Sequence, residues 1–153
     1  MSSHFHPITS VEQLRDAVRY VAEQTSVMCE KIVGERFPIT SLTIFSHSPD
    51  EFVLLTKLLL TVGDRYDEHN GLRVKLRVPI EVGSNVIVLL RVRNPDVDRP
   101  QVGCNDFEVD YTTFKEKYLS PHSKHLRLIR RSEYEMIEFA DPEFDVLAYV
   151  VSD

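Results

Sequence analysis

A chain of 153 residues with 42% apolar and 27% charged residues is long enough to bury one hydrophobic core and too balanced to be disordered or fibrous. Its formal charge of −6 lacks the cationic footprint of a general nucleic-acid binder. The longest apolar run, residues 53–60, is interrupted by Thr56 and Lys57 and is far too short to span a bilayer, so neither nucleic acid nor membrane is an expected partner.

Cys29 and Cys104 stand far apart and form no CxxC pair, and Met1 to Pro7 hold no apolar signal-like stretch. Both features lead to the expectation of a cytoplasmic protein with free thiols. His4 and His6 sit in the polar leader, where a frayed terminus is favoured over weak metal binding. Thr9-Ser10-Val11-Glu12 has the S/T-x-x-E form in which a hydroxyl and a carboxylate satisfy each other's orphan backbone donors. Val11, Leu14, Val18, Val21, Thr25, Met28 and Ile32 then recur at three- and four-residue steps, which predicts a long helix closed by Gly34. Such a helix either packs on the domain behind it or serves as a dimer contact or lid.

Pro38 interrupts the chain, and residues 41–46 alternate as a strand does. Ser48-Pro49-Asp50-Glu51 combines a capping hydroxyl, a proline at the first helical position and a carboxylate three residues after the cap. A helix over residues 49–62 follows, with Phe52, Leu55, Leu59 and Val62 on one face and Gly63 as its stop. Asn70-Gly71 is a hairpin signal between two extended segments, and Gly83-Ser84 marks the next turn. Residues 72–80 and 85–93 are therefore expected to pair antiparallel, with the proline turns at Pro95 and Pro100 closing the unit.

The same order then begins again. Residues 102–109 read as a strand, Asp110 caps a short helix through Leu119, and Ser120-Pro121 ends it. Residues 125–130, 133–139 and 145–151 make three further strands. Phe45 and Phe52 share a seven-residue spacing with Phe107 and Phe114, where the two strand-to-helix junctions would superpose. The expected fold class is α+β: tandem βαβββ units over residues 37–153 form a cupped mixed sheet, preceded by a helical extension over residues 1–36.

In this element order the chain resembles the vicinal oxygen chelate superfamily of glyoxalases, bleomycin-resistance proteins and extradiol dioxygenases, over about residues 41–152. Asp141-Pro142-Glu143-Phe144-Asp145-Val146-Leu147 resembles the family's D-P-D-G-N turn before its last strand, with Phe144 in place of glycine. Val109-Asp110 and Ser48 fall where the family places the strand exit and the helix cap. The resemblance implies a ligand cleft and a homodimer. Members that hold metal take ligands from the first, fourth, fifth and eighth strands, and those positions carry Ser41, Arg91 or Arg93, Cys104 and Ala148 here. That set cannot converge three or four N, O or S donors on an ion, so neither a metal nor another cofactor is expected.

Arg73, Lys75 and Arg77 alternate with Leu72, Val74, Leu76 and Val78, so the cations share one strand face and the aliphatics the other. Depending on register, Arg91 and Arg93 join them in a five-cation surface fit to clamp phosphates or carboxylates; otherwise this is a solvated face balanced by some of the 24 carboxylates. The aliphatic face is a competing candidate for the concave side. Cys104 and Asp106 share a strand side, but a carboxylate beside a thiol weakens it as a nucleophile, which favours a buried structural cysteine. His47, His69, His122 and His125 remain as possible bases. Glu133, Glu135 and Glu138 read as exposed cross-strand partners of Arg127, Arg130 and Arg131.

The chain contains no Walker A, GxGxxG, HExxH or GxSxG motif. The first functional expectation is a metal-free protein binding a small anionic or aromatic ligand through Arg91, Cys104, Asp106 and Tyr149. The alternatives are a metal-dependent lyase, isomerase or dioxygenase of the glyoxalase type, and a non-catalytic protein-interaction module.

Overall fold

A computed structural model describes Phe5 and residues 7–122 and 124–152. His4 and His6 lie outside the described residues. The first helix, α1 (Val11–Val33), begins at Ser10, whose side chain accepts from the Gln13 backbone N–H. Gln13 Oε1 in turn accepts from the Thr9 N–H at 2.7 Å. The reciprocal cap is therefore Ser10-x-x-Gln13, one residue later than Thr9-x-x-Glu12, because an amide oxygen serves as acceptor as well as a carboxylate does. Gly34 ends the helix in the left-handed conformation at φ 82° and donates its N–H to Glu30 O.

The first unit is β1 (Ser41–Phe45), α2 (Pro49–Val62), β2 (Gly63–Glu68), β3 (Leu72–Val82) and β4 (Asn85–Arg93). Ser48 Oγ caps α2 by accepting from Glu51 N–H, and the Glu51 carboxylate is buried. Its oxygens accept from the backbone N–H groups of His47 and Ile8, which ties the leader to the start of α2. Asn70 and Gly71, both at positive φ, turn β2 into β3. The second unit is β5 (Gly103–Asp106), α3 (Tyr111–Phe114) continuing as a π-helical turn over Lys115–Leu119, then β6 (Leu126–Arg130), β7 (Glu135–Phe139) and β8 (Val146–Val151). Asp110 caps α3 through the Thr113 N–H at 2.9 Å.

All eight strands form one open sheet in the order β2-β3-β4-β1-β5-β8-β7-β6. Within each unit the first and last strands run parallel, β1 with β4 and β5 with β8. The units meet where β1 and β5 pair antiparallel, with Thr43 opposite Cys104. Each half thus repeats the same pairing on either side of that seam. The two phenylalanine pairs do not superpose, however. Phe45 lies on β1 among Cys104, Leu147 and Tyr149, whereas Phe107 lies past the end of β5 and packs on Phe139 and Phe37. β1 ends at Phe45 with two residues before the Ser48 cap, whereas β5 ends at Asp106 with three before the Asp110 cap, and that extra residue turns Phe107 to the opposite face.

The helices pack against one face of the sheet. Leu42, Ile44, Val74, Leu90, Val92, Ile137, Ala148 and Val150 from the strands meet Leu14, Val18, Val21, Met28 and Ile32 of α1 in a single core. Full burial of one such side chain is worth about 1.5–3 kcal/mol, so α1 is bonded to the sheet by several residues at once. Although it precedes the repeated units in sequence, α1 shares their core. Three polar ties fix its path: Tyr20 Oη donates to Asp145 at 2.6 Å, Thr25 Oγ1 donates to Asn105 Oδ1 at 2.5 Å, and Lys31 Nζ reaches the buried Asp141 at 2.8 Å. That last contact anchors α1 to the Asp141-Pro142 turn before β8. No described helix is long and apolar enough to cross a membrane.

Gly71 has φ 107°, and a Cβ there would lie 1.9 Å from the Val92 carbonyl oxygen. Gly71→Ala is therefore expected to cost more than about 2 kcal/mol, through conformational strain and separation of the β2–β3 turn from β4. Urea denaturation of the variant against wild type measures this.

Candidate functional site

Alternation along the strands sends one set of side chains into the helical core and leaves the other set on the open face. Register then lines up that second set across the sheet. Arg73 stands opposite Arg91, Arg91 opposite Thr43, Thr43 opposite Cys104, and Cys104 opposite Leu147. A neighbouring row runs from Asp106 to Tyr149 to Glu138 to Arg127. These rows floor a cleft of about 630 Å³ that spans both units. Its lining contains five arginines, Arg73, Arg91, Arg93, Arg99 and Arg131, against two carboxylates, Asp106 and Glu133. Carboxylates just beyond the lining offset part of this charge, Asp67 for Arg73 and Arg91, Asp96 for Arg93 and Glu138 for Arg99.

The cleft unites Arg91, Cys104, Asp106 and Tyr149, together with Arg73 and Arg93. The register question is decided by Arg73 pairing directly with Arg91. Lys75 and Arg77 lie outside the lining, since each two-residue step along β3 carries them roughly 6–7 Å further from the level of Arg91. Arg77 instead binds Asp64 and the carbonyls of Thr61 and Gly63 at the α2–β2 junction. The clean alternation also stops at Leu76, because the β3–β4 ladder is irregular between Lys75 and Ile80 and Val78 is 71% exposed. The aliphatic face of β3 is the one covered by helices, so the open side is the cationic one.

Electrostatics differ from place to place on this floor. Asp67 bonds the Arg73 guanidinium through two nitrogens and lies 3.7 Å from Arg91 Nη2, so one carboxylate serves two adjacent guanidinium groups. Arg91 Nε is buried without an acceptor. Burial, and then the charge of Arg73, lower the pKa of Arg91. Asp106 is open to solvent through the cleft mouth but walled by protein elsewhere, and this desolvation holds its carboxyl above the usual aspartate range despite Arg91 nearby. Arg93 stacks its guanidinium over Phe45 at 5.5 Å.

Cys104 is buried, and burial followed by the charge of Asp106 pushes its thiol up to about 12. Cys29, on the buried face of α1, is likewise pushed up to about 12, chiefly by burial. Both cysteines are free of disulfide. A protonated, enclosed thiol is a poor nucleophile, which agrees with a structural Cys104. Tyr149 is raised by burial and by the neighbouring Cys104 and Glu138, and its hydroxyl donates to Glu138 Oε2 at 2.9 Å.

Glu138 corrects the expectation of an exposed partner. It is 4% exposed and also accepts from Arg99 and Arg127, at 3.2 and 3.0 Å. Arg99 belongs to the β4–β5 connection, so Glu138 draws that loop across the end of the cleft. Nothing in the local sequence distinguishes Glu138 from its neighbours; its role needs three strands and a loop to assemble around it. Glu135, by contrast, faces Tyr111 and Lys115 on the helical side, and Lys115 first among them depresses its carboxyl to about 2.

The four positions at which the resemblance would place metal ligands do not form a ligand set. Ala148 is buried on the helical face, Ser41 and Cys104 are on the cleft side, and Arg91 and Arg93 supply only cations. Among the described residues, no group of three or more His, Cys, Asp or Glu side chains could hold a metal ion. His47, His122 and His125 are not in the lining; His69 is at its polar end.

Comparison with known proteins bears on the architecture. No family model matches the chain. No curated protein matches it either. A solved structure, the structural-genomics protein EC4020, aligns with a TM-score of 0.68 over 99% of this chain and 93% of that one, at 11% sequence identity. At that identity the likeness is one of fold, and the fold is α+β with an N-terminal helix and an open eight-stranded sheet.

Two outcomes follow from this geometry. Glu138→Ala removes the acceptor of three donors and is expected to lower stability by about 2–3 kcal/mol, with Glu138→Gln losing less; chemical denaturation compares them. Iodoacetamide at pH 7.5 is expected to leave Cys29 and Cys104 unmodified in the folded protein and to label both in urea, as mass spectrometry would register.

Proposed function

We propose that the chain is a metal-free protein of the vicinal oxygen chelate type that binds a small organic anion in the cleft of its open sheet. The observation that carries this reading is the directly opposed Arg73–Arg91 pair with a single carboxylate between them. Like charges facing each other across a ladder destabilise a sheet unless a counter-charge relieves them. Guanidinium forks match carboxylate, phosphate and sulfonate oxygens bidentately, and a partly dry cleft strengthens that interaction. Tyr149, Cys104 and Phe45 give the same floor a large apolar component, as small-molecule sites have. The tandem βαβββ order and the turn at Asp141 support the family assignment; cytoplasmic location and homodimerisation belong to the same reading and rest on that resemblance and the two free thiols.

Benzenesulfonate, ionised at every working pH, tests the proposal in a calorimetric titration. Saturable one-site binding is expected, weakened at least about tenfold by Arg91→Gln and unchanged by Lys75→Gln. Affinity is also expected to fall as pH rises through the titration of Asp106. Its raised pKa keeps it neutral to a higher pH than usual, and the ionised form both repels the ligand and competes for Arg91. Asp106→Asn removes that pH dependence. Absence of any saturable signal with the wild-type chain would refute the reading.

A further inference from the structure

The two halves of the cleft are built alike in backbone but differ in chemistry. On the first unit, Arg73 and Arg91 stand side by side with only Asp67 to serve both, and Arg91 Nε has no acceptor at all. This end therefore sets two adjacent, partly exposed guanidinium groups against a single carboxylate. On the second unit the lining carries one charge of each sign, Arg131 and Glu133, over a mostly apolar floor. Glu138 accepts from Tyr149, Arg99 and Arg127, and around it Leu147, Tyr149, Met136 and Val151 make a continuous apolar surface with Ile129 and Ala140.

We infer that the ligand is a single amphiphilic anion, bound in one orientation, with its acid group between Arg73 and Arg91 and an aromatic or branched apolar body over Met136, Tyr149 and Val151. The inference rests on the anion-binding reading above and adds polarity and direction to it. A twofold-related cleft with equal ends would accept a small anion either way round. Here the acid group at the far end would meet Arg131 only in company with Glu133 and apolar side chains, whereas the apolar body at the near end would strip water from two adjacent guanidinium groups without supplying an acceptor. Both reversals are unfavourable for the same reason, since a buried polar group left unpaired costs more than a made hydrogen bond returns. Asp106 stands directly opposite Tyr149, at the junction between the two ends.

The test uses the full chain and three probes in isothermal titration: methylphosphonate for the head alone, phenylphosphonate for head plus body, and benzyl alcohol for the body alone. Phenylphosphonate is expected to bind at least about tenfold more tightly than methylphosphonate, with benzyl alcohol weaker than either. Arg91→Gln should weaken both phosphonates. Met136→Asn should weaken phenylphosphonate at least about fivefold and leave methylphosphonate within about twofold, while Met136→Leu retains both affinities. Equal binding of the two phosphonates by the unaltered protein, or equal loss of both in Met136→Asn, overturns the orientation and leaves anion binding standing. Failure of both phosphonates to bind overturns the anion-binding reading itself. The probe comparison on the wild-type chain stands whether or not a substituted chain folds.

Discussion

The antiparallel seam between β1 and β5 is the constraint on which the cleft depends. Only Leu42, Thr43 and Ile44 pair there, with Asn105, Cys104 and Gly103. The chains approach so closely that a Cβ on Gly103 would lie 2.3 Å from the Thr43 carbonyl oxygen. Val21 of α1 packs over the same point from the helical side. Because the seam is a regular ladder, it turns two four-stranded units into one sheet and puts their open faces on the same side. The row from Arg73 to Leu147 exists only because that ladder keeps five strands in register.

From this follows a division of labour between the two faces. The helical face is apolar, and buried polar groups there pair across elements, as in Thr25 with Asn105, Tyr20 with Asp145 and Lys31 with Asp141, while Asn105 Nδ2 and Asp145 Oδ2 are left without a partner. Burial without a partner is expensive, so a face sealed by helices selects such pairs. The open face remains in contact with water, and it can hold an excess of one sign of charge at tolerable cost. Arg73 and Arg91 stand opposite each other there. The same pair beneath α1 would have no water to solvate it.

Several elements were legible in the residues before any coordinates. The caps at Ser48 and Asp110 and the terminator Gly34 act through backbone groups within four residues of themselves, so their effect needs no tertiary partner. The repeated order of strand, helix and three strands was readable for the same reason. Errors arose where two local solutions were close in energy. Thr9 and Ser10 both offer a hydroxyl, and Ser10 prevails because Gln13 closes the pair. The even spacing of the phenylalanines hid a one-residue difference in the strand-to-helix connections, which reverses the face a side chain meets. Among the site residues, Arg91, Cys104, Asp106 and Tyr149 could be placed from alternation and element order; Arg99, Arg131 and Met136 join them through a loop, a turn and the strand next to the β6 edge, whose positions alternation does not specify.

By itself, then, the amino-acid sequence determined the helices, the turns and much of the alternation along the strands, all of which depend on residue type and short-range spacing. Only the tertiary structure decided which face of the sheet stays open, that Arg73 falls opposite Arg91 while Lys75 and Arg77 fall away, and that Glu138 is buried. Those outcomes are set by strand register and by where α1 lies, and both are settled by packing between residues far apart in the chain.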